Sequence, residues 1–259
     1  MSTSTDSNTT STSKKSNKRW FPLESNPAAL NHYILKLGFN TSLYSFVDVF
    51  SIDPESLSYI PPGCIGLVML YPLTEVQEEH RQTEAKQSAA AKAASGNDEN
   101  DGVVWFIKQR IGNACGTIGI LHTLANISST MKEINIEQSS WLHTFFQSTP
   151  NSMSSIEKAE ILESNDAIEK HHDESTSDTS LNQTSRGDID DKVITHFVSI
   201  VNVKNEIYEL DGRKEGPIHH GKTSEATFLY DGVEVVKKFM NRDPNEVRFT
   251  ILALVPTQG

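Results

Sequence analysis

His196-Phe-Val-Ser-Ile-Val-Asn-Val203 and Ile207-Tyr-Glu-Leu210, joined around Lys204-Asn205, read as the two strands of a β-hairpin. Antiparallel pairing brings the outer ends of such strands together, which sets His196 beside Asp211, the residue that follows the second strand. A carboxylate next to an imidazole fixes its tautomer and stabilises its cation. In isolation the same residues are an Asp-Gly turn and the end of a surface strand, so the pair needs a third group before it means anything chemically.

Working outward, the segments around this hairpin supply the rest of a domain. Arg248 to Val255 reads as a further strand, and Val233 to Met240 as a helix before it. Cys64 to Leu73 is an almost unbroken apolar run containing Ile65, Leu67, Val68, Met69, Leu70 and Tyr71, as expected of a central strand covered on both faces. Phe46 to Phe50 alternates like a half-buried strand, and Asp53-Pro54-Glu55 opens a short helix through Leu57 and Tyr59. Asn26 with Pro27 starts a helix carrying Leu30, Tyr33, Ile34 and Leu37, and Gly38 stops it. Val103 to Lys108 reads as strand or helix. Weak helices are expected around Glu137 to Phe146 and Ser154 to Ile168.

Three stretches look peripheral. Met1 to Asn17 is Ser, Thr, Asn and Lys with no apolar run, a disordered polar tail (1–17) ahead of one domain over 18–259. Glu78 to Asp101 is rich in Glu, Lys, Gln and Ala and ends in Gly96-Asn-Asp-Glu-Asn-Asp-Gly102, which reads as a frayed helix and solvated loop inserted over 78–102. His171 to Asp191 has almost no apolar residue and reads as a mobile loop, the kind that inside a compact domain is a functional lid or a linker.

The third group is a thiol. Asn113-Ala-Cys-Gly-Thr117 places Cys115 in the first turn of an apolar helix through Ile118, Leu121, Leu124 and Ala125, with Asn113 as the expected N-cap. Free N–H groups and the helix dipole at that end stabilise a thiolate. A lone cysteine there is otherwise a small buried apolar residue. With His196 as base and Asp211 orienting it, Cys115 completes a nucleophilic triad. Gln109, six residues earlier, is near enough along the chain to donate its amide N–H to a developing oxyanion together with the Cys115 backbone N–H.

Other candidates lead nowhere comparable. Cys64 opens a buried strand and reads as an inert thiol, His122 as a packed helix residue, and His171-His172 as solvated loop residues beside Asp173 and Glu174. His219-His220 has no acidic or thiol partner nearby in sequence. No metal-ligand spacing, nucleotide-binding glycine motif or Gly-x-Ser-x-Gly string occurs, so neither a metal nor an organic cofactor is expected.

Bulk properties agree. At 259 residues, 36% hydrophobic and 22% charged, the chain suits one globular domain. A net charge of −11 disfavours nucleic acid and anionic membranes and suits a partner with basic residues. Two cysteines cannot form a disulfide framework. There is no secretory-type apolar stretch at the start and no run near the roughly 18 apolar residues of a membrane span. A cytoplasmic or nuclear monomer is the expectation.

The chain resembles the ubiquitin C-terminal hydrolases, papain-like cysteine proteases, and among them the short single-domain members. The resemblance is carried by Arg19-Trp-Phe-Pro-Leu-Glu-Ser-Asn-Pro27, Phe46-Val-Asp-Val49, Gln109 through Asn113-Ala-Cys-Gly-Thr-Ile-Gly119, His196-Phe and Tyr208-Glu-Leu-Asp-Gly-Arg213. Phe239-Met240, Arg242-Asp-Pro244 and Arg248-Phe249 extend it toward the C-terminus. It implies an α+β fold, a mainly antiparallel central sheet flanked by helices, with a crossover loop over the active site that here would be 171–191. It implies Cys115 as nucleophile, His196 as proton donor and acceptor, Asp211 as third member and Gln109 as transition-state stabiliser, acting on small adducts, short peptides or precursor extensions at the C-terminus of ubiquitin or a close ubiquitin-like protein. Leu23, Glu24 and Asp48 are by the same resemblance candidates for receiving the ubiquitin tail. The alternatives are a ubiquitin-binding module whose triad is silent, and a papain-like protease for ordinary peptides.

Overall fold

In the computed structural model residues 18–95 and 102–258 are described, with 88–95 as backbone only. The expected tail 1–17 and the loop 96–101 lie outside the described residues. The elements in chain order are α1 Pro27–Leu37, β1 Tyr44–Asp48, α2 Pro54–Leu57, β2 Gly66–Pro72 and α3 Glu75–Ser95. Then come α4 Cys115–Ala125, α5 Ser129–Asn135, α6 Trp141–Ser148, α7 Ser155–Glu163 and α8 Asp166–Ser177. β3 Thr195–Val203, β4 Glu206–Leu210, β5 Ile218–Lys222, α9 Phe228–Arg242 and β6 Thr250–Pro256 complete the chain.

The strands form one sheet in the order β1-β6-β2-β3-β4-β5, and every neighbouring pair is antiparallel. β2 lies between β6 and β3, and its residues alternate between two cores. Leu67, Met69 and Tyr71 pack with Val233, Val236 and Phe239 of α9, whereas Val68 packs with the cluster built from α1, α4 and α6. Two covered faces are the reason this strand is apolar at almost every position. The hairpin turns at Lys204 and Asn205, both with φ near +60° (54° and 63°), as a tight two-residue turn requires.

α4 is the other central element. All its residues from Cys115 to Ala125 are buried, which accounts for a helix that is apolar all round rather than along one stripe. It lies against β3 and β2, with Thr123 Oγ1 bonded to Ser199 Oγ at 2.7 Å. At Gly66 a Cβ would stand 2.4 Å from the Thr123 methyl, so glycine sets this helix-to-sheet spacing. Side-chain caps define other starts: Asn26 accepts from Ala29 N, Asp53 from Ser56 N, and Ser154 with Glu157 makes a capping box.

Several expectations need correction. Val103 to Lys108 is neither strand nor helix: Trp105 N donates to Asn126 Oδ1 at 2.9 Å, Asn126 Nδ2 donates to Trp105 O at 2.8 Å, and the Ile107 backbone meets His122 Nε2 at 3.2 Å. Side chains at and next to the end of α4 thus take the place of a partner strand. The weak helix expected over Ser154 to Ile168 is two helices, broken at Ser164 and Asn165. α8 then runs through Ser177, so the expected loop 171–191 starts only at Asp178 and runs on toward β3. Ile168, His172, Ser175 and Thr176 give α8 a buried face that its polar composition conceals. α5 and β5, short and polar, have no clear signal in the sequence. Among the described residues no helix is long and apolar enough to cross a membrane.

Candidate active site

The chain enters α4 through a constrained turn. Gly112 is held on both sides, its N–H donating to Lys18 O and its carbonyl accepting from Trp20 N, each at 2.9 Å. Asn113 follows with φ 61°, a left-handed conformation that asparagine tolerates better than most residues. It is therefore not the N-cap: Ala114 occupies that position, and no side chain caps the helix. The first-turn N–H groups are left without a competing side-chain oxygen beside Cys115.

Cys115 is 5% exposed, with the His196 imidazole next to its thiol. Burial raises a thiol pKa, but here the His196 hydrogen bond and positive charge, with a backbone bond at Phe197, outweigh it, and the net shift is downward. Cys64 shows the opposite outcome: buried and bonded only to the Gly66 carbonyl, it is pushed up to about 12.

His196 and Asp211 meet as the hairpin predicts. The Nε2–H donates to Asp211 Oδ1 at 2.6 Å, leaving Nδ1 for the sulfur. Burial alone would lower the imidazole pKa, yet the Asp211 carboxylate and the Cys115 sulfur raise it to about 9. Asp211 is fully buried, which favours its neutral form, but His196 and the Arg213 N–H, donating at 2.8 Å, hold it well below the usual carboxylate range. The ring of Tyr71 stands edge-on to His196, with ring centroids 5.9 Å apart. Such a set can hold a thiolate and an imidazolium together, with the carboxylate opposite the sulfur.

Gln109 is fastened to the turn after Asp211, its N–H donating to Gly212 O at 2.8 Å. A Cβ at Gly212 would fall 2.9 Å from Gln109 Cβ and 2.8 Å from Ile118 Cγ2, so only glycine lets that turn approach both. Gln109 Nε2 gives one N–H to Ile111 O at 3.2 Å and keeps the other.

The N-terminal segment carries the remaining candidates. Leu23 is 5% exposed and packs on Gly116, where a Cβ would come within 3.0 Å of its own. Glu24 does not point freely to solvent. Its carboxylate accepts from Gln183 N, Thr184 N and Thr184 Oγ1 at 2.9 to 3.2 Å and from Asn26 Nδ2 at 3.1 Å; desolvation, the largest single effect, raises its pKa, but these hydrogen bonds together outweigh it and hold the group below the ordinary carboxylate range. Asn26 also donates to Leu181 O at 2.9 Å, and Arg19 pairs with Asp190. The loop from Asp178 is thus tied to the segment beside Cys115 before it runs into β3 and His196. Asp48 is half-buried at the end of β1, and desolvation raises its pKa.

A match to the family model described as ubiquitin carboxyl-terminal hydrolase, family 1, spans residues 20–241. The chain belongs to this family. It is 39% identical over 245 residues to ubiquitin carboxyl-terminal hydrolase 3 of Arabidopsis thaliana, covering 95% of this chain and 97% of that one. With isozyme L1 of Homo sapiens it shares 36% over 233 residues, or 90% and 96% of the two chains. Its fold matches the catalytic domain of Trichinella spiralis UCH37, solved bound to ubiquitin vinyl methyl ester, with TM-score 0.66 at 21% identity over 93% of this chain and 96% of that one.

Within this family member the histidines call for one further correction and one addition. His172, read as a solvated loop residue, is 1% exposed: Nε2 donates to Phe21 O at 2.6 Å and Nδ1 accepts from Thr117 Oγ1, itself bonded to Tyr33. Burial lowers its pKa to about 4, so it is a neutral strut between α8, α4 and the N-terminal segment. His219 and His220, without an acidic partner nearby in sequence, meet Glu206 at 2.7 Å and Glu209 at 2.9 Å on the neighbouring strand β4. Both partnerships depend on β5, which has no strong strand signal. Among the described residues no group of three or more His, Cys, Asp or Glu could hold a metal ion.

Proposed function

We propose that this chain is a thiol-dependent deubiquitinating hydrolase that cleaves bonds to the C-terminal glycine of ubiquitin. The observation that carries the reading is the 2.6 Å bond between His196 and Asp211, with the Cys115 thiol against the same imidazole, in a chain of this family. Cys115 is the nucleophile. Its thiolate adds to the glycine carbonyl, and the oxyanion is met by the Cys115 N–H and the free N–H of Gln109. His196, as imidazolium, protonates the departing amine or alcohol as the carbonyl bond to it breaks, leaving a thioester. Neutral His196 then takes a proton from water, hydroxide adds to the thioester, and the sulfur leaves to regenerate the resting pair. Asp211 holds the imidazole orientation throughout.

Small adducts, short peptides and precursor extensions are the leaving groups we assign, because the tied loop between Asp178 and β3 runs from the Cys115 side of the site to His196. Leu23, Glu24 and Asp48 form the surface assigned to the ubiquitin tail, Glu24 through the loop it holds and Asp48 as a half-buried carboxylate. The chain's net charge of −11 suits a tail that carries arginines. We place the protein in the cytoplasm or nucleus, acting as a monomer.

The test is release of a fluorescent amine from the C-terminus of ubiquitin with chelator and reductant present. Wild type turns over and Cys115→Ala does not. Binding of ubiquitin with no turnover by wild type would instead mark a module with a silent triad, and cleavage of unrelated peptides at a similar rate would mark a general protease.

A further inference from the structure

Helix α3 looks dispensable in sequence, yet its first turns are fastened into the molecule. Gln77 is 2% exposed, donating to Phe239 O at 2.8 Å and accepting from Arg242 at 3.2 Å, which fixes the root of α3 to the end of α9. Along the same side, Glu78 accepts from Arg213 at 3.0 Å and from Arg81, and Glu84 pairs with Lys214. Lys214 is 8% exposed, and its ammonium is shared between Glu84 and the fully buried Glu209, which also accepts from His220.

Arg213 and Lys214 close the turn that presents Asp211. Lys214 N donates to Asp211 O at 2.9 Å, and Arg213 N supplies the 2.8 Å bond to Asp211 Oδ1, the oxygen that faces His196. Gly212 of this turn also accepts the Gln109 N–H at 2.8 Å. A displacement of the turn therefore moves both the carboxylate and the amide donor.

We propose that α3 is a positioning element of the reaction: Glu78 and Glu84, by gripping Arg213 and Lys214, set the direction in which Asp211 meets His196 and Gln109 faces the reacting carbonyl. This rests on the triad reading above. Neither glutamate touches the reacting atoms, so their effect has to be read as geometry at the triad rather than as lost chemistry.

The test uses the full chain with Glu78→Gln, Glu84→Gln, their combination, Glu84→Asp, and Glu79→Gln on the exposed side of α3 as control. Three readings are taken: kcat and KM on a fluorogenic ubiquitin amide, the pH profile of Cys115 alkylation by iodoacetamide, and melting temperature. The combined variant loses about ten-fold in kcat with KM nearly unchanged, since small misplacements of catalytic groups are costly. Its alkylation profile moves to higher pH, because a misdirected Asp211 supports the His196 cation less and the thiolate with it. Glu84→Asp recovers part of both relative to Glu84→Gln, and Glu79→Gln matches wild type.

A combined variant with wild-type kcat and alkylation profile, even at a lower melting temperature, would overturn the proposal and leave α3 a stabilising element only. The alkylation arm needs no ubiquitin. A shifted profile in a protein whose wild type releases nothing from ubiquitin would therefore retain the brace and sink the substrate reading.

Discussion

The chemistry of the site comes down to opposite treatment of similar groups. Two buried cysteines diverge because only Cys115 has an imidazole beside it, and buried His196 diverges from buried His122 and His172 because it is hydrogen-bonded to a carboxylate and they are not. The pair should be active between deprotonation of Cys115 and deprotonation of His196. Activity rises with pH as the thiolate forms and falls through about pH 9 as the imidazolium is lost, a bell measurable from kcat/KM. Asp211→Asn removes the charge that raises the His196 pKa, so the alkaline limb moves to lower pH and kcat drops on the order of a hundred-fold or more. An unchanged alkaline limb would mean that Asp211 does not set the imidazole pKa. For His172 the sign is reversed. Its folded value, about 4, lies below the ordinary 6.5, so the unfolded chain binds more protons between these values. Its contribution is complete above pH 6.5 and lost as pH falls toward 4, amounting to roughly 3 kcal/mol over the full traverse. Urea midpoints across that range should fall for wild type and fall less for His172→Gln. The four catalytic candidates were legible because each stands in a short distinctive string. The strut of His172 was not, because its burial comes from a helix whose composition reads as solvent-facing.

At the scale of elements, the readable parts were those whose neighbours are written in the same pattern. β2 announces two covered faces, α4 announces complete burial, and the β3–β4 hairpin announces that its ends meet. What stayed hidden depends on contacts far apart in sequence. The Val103 to Lys108 segment looked like regular structure because it is apolar, but its backbone is satisfied by Asn126 and His122 instead of a strand. The loop from Asp178 looked free because it is polar, but Glu24 accepts three hydrogen bonds from Gln183 and Thr184 backbone N–H groups and one from the Thr184 hydroxyl. Glu24→Gln keeps the size of the side chain and weakens these bonds. Limited proteolysis within 178–194 should accelerate several-fold while the global unfolding midpoint shifts little, as expected for local opening. Equal cleavage rates would show that the loop is held by other contacts. Gly212→Ala tests the turn itself: its methyl meets Gln109 and Ile118 within 3 Å, so the variant should lose kcat more than it gains in KM.

Across the whole molecule, one antiparallel sheet with a core on each face brings together residues from four stretches of chain. The N-terminal segment locks Gly112, α4 presents the thiol, β3 presents the imidazole, and the turn after β4 presents the carboxylate and seats Gln109. The span matched by the family model, 20 to 241, contains Gln109, Gly112, Cys115, His196 and Asp211. A chain of net charge −11 should also bind a basic-tailed substrate less well as salt rises, seen as a KM that increases with ionic strength at nearly constant kcat. The central claim is that Cys115 attacks the C-terminal carbonyl of ubiquitin within this assembled triad. Intact-mass spectrometry after mixing the protein with ubiquitin bearing a C-terminal electrophile tests it most directly. The account predicts a single adduct of one ubiquitin per chain, mapped by peptide sequencing to Cys115 and absent from Cys115→Ala, whereas labelling of Cys64, or no adduct at all, would contradict it.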